Sequence, residues 1–188
     1  MSGPRGDAAG QGRPPWAPWL AGARLLVLGA VALTVVGLAG HAAGGVWLTT
    51  TVGPTAYLLL AHPEHEASQL RSSLLGHAAA TACGLGCLAA FGLWDHPSVV
   101  ELHRDSLPQI GAQALAVGLT LLLLTVCHAH HPPAAATALL IASGIARPGP
   151  PLYGMLIGLA VVIALAAVLA RVPGAHPDRA KSRTADGS

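Results

Sequence analysis

Apolar and polar positions divide the chain into six apolar stretches joined by short connectors. The stretches run roughly Ala23–Gly40, Val46–Ala61, Leu74–Trp94, Ile110–Cys127, Ala134–Ala146 and Leu152–Ala170. The first, third, fourth and sixth each approach the ~20 residues that a membrane-spanning helix needs. The second and fifth are shorter, carry threonines, and contain or follow prolines. A stretch of that length is a marginal crossing, and a broken or re-entrant segment is the usual alternative. The pattern therefore predicts an all-α polytopic membrane bundle of four full transmembrane helices plus two shorter proline-started segments.

The order is long, short, long, then long, short, long, which suggests a two-half internal repeat. Gly53-Pro54-Thr55-Ala56-Tyr57-Leu58-Leu59-Leu60 resembles Pro133-Ala134-Ala135-Ala136-Thr137-Ala138-Leu139-Leu140 in profile, a proline followed by small residues and leucines. Interrupted segments in corresponding positions of two halves point to a transporter site.

Composition strengthens the membrane reading. Of 188 residues, 53% are hydrophobic and 10% charged, with mean hydropathy +0.57. A soluble domain is about 25% charged, so this chain lacks the polar atoms to coat a globule. A soluble enzyme, a nucleic-acid binder and a disordered protein are all excluded, and a net charge of +2 gives no reason for a nucleic-acid partner. Residues 1–22 read as a Gly/Pro/Ala-rich disordered tail, 23–171 as the transmembrane domain, and 172–188 as a disordered basic tail. Arg5, Arg13 and Arg24 at one end and Arg171, Arg179, Lys181 and Arg183 at the other put both termini in the cytoplasm. The protein is then expected in the inner (plasma) membrane with an even number of crossings, four or six. Single arginines in the loops do not separate the two counts.

Minor features fit the same picture. Gly76, Ala80 and Gly84, and likewise Gly154 and Gly158, recur at a spacing that lets helix backbones approach closely in lipid. Trp16, Trp19, Trp47 and Trp94 lie near segment ends, as an interfacial belt would. Cys83, Cys87 and Cys127 form no CxxC pair and read as small packing residues. A homo-oligomer is compatible with so small a bundle, but no residue demands one.

Candidate chemistry concentrates at Cys127-His128-Ala129-His130-His131-Pro132-Pro133. Pro132 and Pro133 cannot lie inside a helix but suit its first turn. The fourth helix is thus expected to stop near His131 and a new one to start at Pro133. Its N-terminus would offer backbone N–H groups and a positive dipole end to an anion, with His131 adding a donor. Pro54 and Thr55 would do the same in the first half. Thr55 and Thr137 each follow a half-helix proline and offer hydroxyls to a dehydrated anion. His77 near the start of the third stretch is placed on the substrate path, and Arg71 supplies an electropositive mouth. The competing account of Arg71 is an ion pair with Glu64 or Glu66. Cys127 is the only partner for a His-x-His-His metal site at residues 128–131, and a haem carrier would need a second histidine pair that the chain lacks. No metal and no cofactor is expected.

These residues also carry a family resemblance. His131-Pro132-Pro133-Ala134-Ala135-Ala136-Thr137-Ala138-Leu139 resembles the signature of the HPP family of integral membrane proteins. Gly53-Pro54-Thr55-Ala56, followed by Pro63-Glu64, Gln69, Arg71 and Gly76-His77, is similar to a second stretch of that family. The departures are Ala135 and Leu75, where the family has glycine, and Leu70, where it has proline. The resemblance covers about Ala23 to Arg171 and implies a small multi-helix membrane protein. Some plastid and cyanobacterial relatives are linked to nitrite transport.

The expectation is a membrane transporter or channel-like protein for a small monovalent anion, nitrite being the leading candidate, and not an enzyme. Its partners are the lipid bilayer and the anion. Its candidate binding residues are His131, Pro132, Pro133, Thr137, Pro54, Thr55, Arg71 and His77. The alternative is a non-transporting structural or accessory membrane subunit.

Overall fold

A computed structural model describes residues 16–169; of the tails expected at 1–22 and 172–188, residues 1–15 and all of 172–188 lie outside the described residues, while residues 17–22 are helical. Among the described residues the fold is all-helical: α1 (Ala17–Ala42), α2 (Val52–Ala61), a 3-10 turn (Glu66–Ser68), α3 (Leu70–Ala90), α4 (Val99–Leu102), α5 (Leu107–Val126), α6 (Pro133–Ala142) and α7 (Pro150–Leu169). The helices α1, α3, α5 and α7 are long and apolar enough to cross a membrane, while α2 and α6 have 10 residues each.

Several boundaries differ from the sequence expectation, and the starts have local reasons. The first helix begins at Ala17 rather than Ala23, because Pro18 falls in the first turn, where no amide N–H is required. The third begins at Leu70 rather than Leu74, because Ser72 and Ser73 are buried against the bundle. The fourth begins at Leu107, where Ser106 and Gln109 form a reciprocal capping box. It ends at Val126, not near His131, and residues 127–132 form a non-helical linker. The short helix α4 was not foreseen, and it too starts from a capping box, Ser98 with Glu101.

The second stretch is not one short helix. Residues 46–50 are non-helical and α2 starts only at Val52. A non-helical residue advances the chain by up to ~3.3 Å against 1.5 Å in a helix. Five such residues followed by the 10-residue α2 reach at most about 31 Å, close to the ~30 Å of a hydrocarbon core. A segment too short to span as a helix is long enough when broken.

The two halves interlock. The first half is α1–α2–α3 and the second is α5–α6–α7. The short helix α2 packs on its own α1 and on α7 of the other half, and α6 packs on its own α5 and on α3 of the other half. The same exchange places α1 on α7 and α5 on α3, while α3 and α7 meet each other. Each of these helix pairings has its counterpart under exchange of the halves, which is the packing an internal repeat produces.

Glycines make the close approaches. A Cβ at Gly76 would lie 2.9 Å from the Cβ of His131, and one at Gly84 would lie 2.7 Å from the Cβ of Ile141. On α7, a Cβ at Gly154 or Gly158 would strike the carbonyl oxygens of Val46 and Trp47, respectively. The small-residue spacing seen in both halves thus admits the broken segment of the opposite half, not another long helix. Trp47 accordingly packs, half-buried, against the bundle beside Gly40, Gly154 and Gly158. Trp16 and Trp19 at the start of α1 and Trp94 beyond α3 are exposed. Cys83 and Cys87 are buried on α3, but Cys127 caps α5 and is exposed, so it is not a packing residue.

Candidate functional site

Two buried histidines and three buried hydroxyl side chains gather at one place. His131 precedes α6 and is 0% exposed, while His77 on α3 is 6% exposed. Their Nε2 atoms lie 3.1 Å apart, with the rings edge to face at a centroid separation of 4.8 Å. Thr137 of α6 places Oγ1 2.9 Å from His77 Nδ1, and Thr55 of α2 places Oγ1 3.3 Å from His77 Nε2. One imidazole therefore ties both short helices, one from each half, to α3.

The partners at the edge of this network assign its protons. His131 Nδ1 lies 2.8 Å from the carbonyl of Ala67, which can only accept, so His131 carries its proton on Nδ1. Its Nε2 is then a bare lone pair in the neutral ring. His77 Nε2–H donates to that lone pair, which leaves His77 Nδ1 bare in turn. Thr137 O–H donates to His77 Nδ1. Thr55 O–H is committed to the carbonyl of Thr51 at 2.8 Å, so its oxygen accepts a second branch from His77 Nε2–H. Both histidines are satisfied as neutral rings. Among the described residues no carboxylate lies within ion-pair distance of either.

Ser73, also 0% exposed, completes the shell with Oγ 3.4 Å from His131 Nδ1. Because that nitrogen is already a donor, Ser73 can only accept from it, and its own proton points elsewhere. On the other side, His77 borders a groove of about 470 Å³ between α3 and α7, whose remaining lining, including Leu74, Ala78, Leu156, Leu159 and Ile163, is almost wholly apolar.

The structure brings together His77, His131, Thr55 and Thr137, and places Pro133 at the first position of α6, buried. It does not bring in the other candidates. Arg71, Pro54 and Pro132 are exposed. The ion pair considered for Arg71 is not formed among the described residues: Glu64 lies beside His65 at 3.7 Å and Glu66 beside His130 at 3.9 Å. Sequence reasoning missed Ser73 and the Ala67 carbonyl. Only Ser73 left a signal, as a hydroxyl one helical turn before His77.

The helix N-termini also differ from expectation. Pro132 and Pro133 have no N–H, Ala134 N–H bonds the carbonyl of His131, and Ala135 N–H bonds that of Pro132. The start of α6 therefore offers its dipole but no free amide over its first turn. The polar donors at this site come from side chains.

A family model for the HPP transmembrane region matches residues 13–178. The chain belongs to the HPP family of integral membrane proteins. The His-Pro-Pro run of this HPP protein is the linker that lifts His131 onto α3 and starts α6. Neither the curated proteins nor the solved structures contain a significant match to it. The departures at Leu70 and Leu75 are accommodated because both side chains are exposed on α3, and Ala135 is only half-buried on α6.

Proposed function

We propose that this HPP protein carries a small monovalent anion across the membrane, nitrite being the leading candidate, and that the His77–His131 pair is the binding site. The observation that carries the reading is the buried imidazole pair bonded to a threonine of each short helix. Ionisable residues inside a membrane bundle are expensive to keep and face substrate or proton paths. Substrate sites of repeat-built transporters lie where broken helices of the two halves meet. Both conditions hold at His77.

The proton assignment suggests how an anion enters. In the neutral pair every ring nitrogen is used, so an anion finds no free donor. A proton on His131 Nε2 would set two N–H groups against each other across 3.1 Å. An anion accepting from both relieves that opposition and leaves a neutral complex, which crosses a low-dielectric region at far smaller cost than a bare ion. Proton and anion then travel together, and Thr55 and Thr137 report occupancy to α2 and α6.

The test is uptake into proteoliposomes, measured for nitrite, nitrate, formate and chloride at two external pH values, for wild type and His131→Ala. Saturable nitrite uptake that rises at the lower pH and falls in the variant supports the proposal. If no anion moves in the wild type, the transport reading is wrong for this chain.

A further inference from the structure

A second cluster of ligating side chains lies outside the buried pair, on the connector between α2 and α3. His62, Glu64 and His65 each present one ligand atom, and these atoms all lie within 4.8 Å of one another. His62 Nδ1 is 4.0 Å and His65 Nε2 3.7 Å from the same oxygen, Glu64 Oε1. The two imidazoles stack at 4.9 Å with planes 25° apart. We propose that His62, Glu64 and His65 form a site for a late first-row divalent cation, with Zn²⁺ as the representative ion.

The donor set fits that class: two imidazoles and one carboxylate are the ligands Zn²⁺ takes when it keeps an open position. With bonds of about 2.0–2.1 Å, tetrahedral ligands sit roughly 3.4 Å apart. The three atoms are therefore slightly splayed, and rotation of exposed side chains closes the gap. Two further observations point the same way. Tyr57 Oη lies 3.5 Å from His62 Nε2 and forms an edge-on ring contact with it. A proton held on Nε2 by that oxygen leaves Nδ1, the atom facing Glu64, as the lone pair, which is the outer hydrogen bond that metal-bound histidines use. The backbone is also preset. His65 N–H bonds the carbonyl of His62, and Ser68 Oγ donates to the carbonyls of His62 and Leu58 at 2.6 and 2.9 Å. An ion here would bind to a turn already folded.

The same connector carries Ala67, whose carbonyl fixes the proton of His131. Metal binding at the surface would therefore stiffen the segment that orients the buried pair. The binding claim itself is independent of what the protein transports.

The experiment is equilibrium dialysis of untagged, detergent-solubilised protein against micromolar Zn²⁺, with bound metal counted by mass spectrometry. Wild type should hold one Zn²⁺ per chain. His62→Ala and His65→Ala should each weaken binding at least ~10-fold, and Tyr57→Phe by about 10-fold as an outer-shell loss. Glu64→Gln, a shape-preserving change, guards against misfolding as the cause and should weaken binding likewise. His130→Ala, at the neighbouring pair with Glu66, should bind as wild type. Substoichiometric binding by the wild type would overturn the assignment. So would unchanged binding in the His62→Ala/His65→Ala double variant, or loss of the ion in His130→Ala.

Discussion

Thr137→Val isolates one hydrogen bond at the heart of the site. Thr137 is 0% exposed, and its hydroxyl is 2.9 Å from His77 Nδ1. Valine keeps the shape and removes the donor. Because the Ala67 carbonyl forces the proton of His131 onto Nδ1, His77 must donate from Nε2, and its Nδ1 has Thr137 as its only described donor. A buried acceptor left unpaired costs about 1–3 kcal/mol. For a chain of 188 residues, at roughly 2–4 °C per kcal/mol, the melting temperature in detergent should fall by about 2–12 °C. Thr55→Val is the internal comparison. Its hydroxyl donates to the Thr51 carbonyl, which keeps the Thr55 backbone N–H at 3.2 Å in the variant. Its oxygen accepts only the longer branch of a divided bond at 3.3 Å, and His77 Nε2–H keeps His131 without it. Thr55→Val should therefore cost less than Thr137→Val. The assay is thermal unfolding of both variants in one detergent at one pH. A Thr137→Val protein melting within about 1 °C of wild type, or a larger loss in Thr55→Val, would refute the proton assignment.

Other outcomes follow from the packing and the caps. Gly158→Ala should be clearly destabilising, by roughly 1–3 kcal/mol, because its methyl meets the Trp47 backbone carbonyl, which cannot swing aside. Gly118→Ala on α5 meets nothing within 4 Å and should be neutral or stabilising by up to about 1 kcal/mol, so paired melts of the two test the interlocked halves. Ser106→Ala, which removes the α5 cap, should cost about 1 kcal/mol in the same measurement. Glu101 accepts from the backbone N–H of Ser98, which with the Ser98 hydroxyl and nearby Arg147 holds its carboxyl below the usual 4.5. A depressed folded value means that its stabilisation is full above the ordinary carboxylate range and is lost as pH falls through the lower folded value. Hydrogen-exchange protection at Val99–Leu102, taken relative to the intrinsic rate at each pH, should therefore fall on acidification in wild type and be less pH-sensitive in Glu101→Gln.

Much of the fold was legible because its signals are local. Apolar length alone locates α1, α3, α5 and α7, and Pro132-Pro133 marks the start of α6 to the residue. The capping boxes at Ser98/Glu101 and Ser106/Gln109 were equally visible as Ser-x-x-Glu and Ser-x-x-Gln, yet the hydropathy reading passed over them. A broken segment was among the expected alternatives for the second stretch, but the place of the break at residues 46–50 was not legible, because a non-helical run that leans on glycines of α7 is as apolar as a helix.

At the site, the sequence supplies the participants but not their pairing. His77 and His131 were each singled out, but nothing along the chain says that residues so far apart share a proton. Their meeting depends on Gly76, which lets the His131 backbone approach α3. Arg71 was selected for its charge and Pro54 and Pro132 as helix-starting prolines, and in the fold all three are exposed. The His62–Glu64–His65 cluster escaped notice because its connector was read for charge pairs rather than for ligand spacing.

The most direct test of the central claim is ¹⁵N spectroscopy of histidine-labelled protein in bilayers, titrated with nitrite and assigned with His77→Ala and His131→Ala. Without nitrite, His131 should show the Nδ1–H form and His77 the Nε2–H form, both neutral. Adding nitrite should saturably shift the resonances of these two rings and convert His131 to its doubly protonated form, while the exposed histidines stay unchanged. Rings that remain unmoved at nitrite concentrations sustaining uptake would contradict the account.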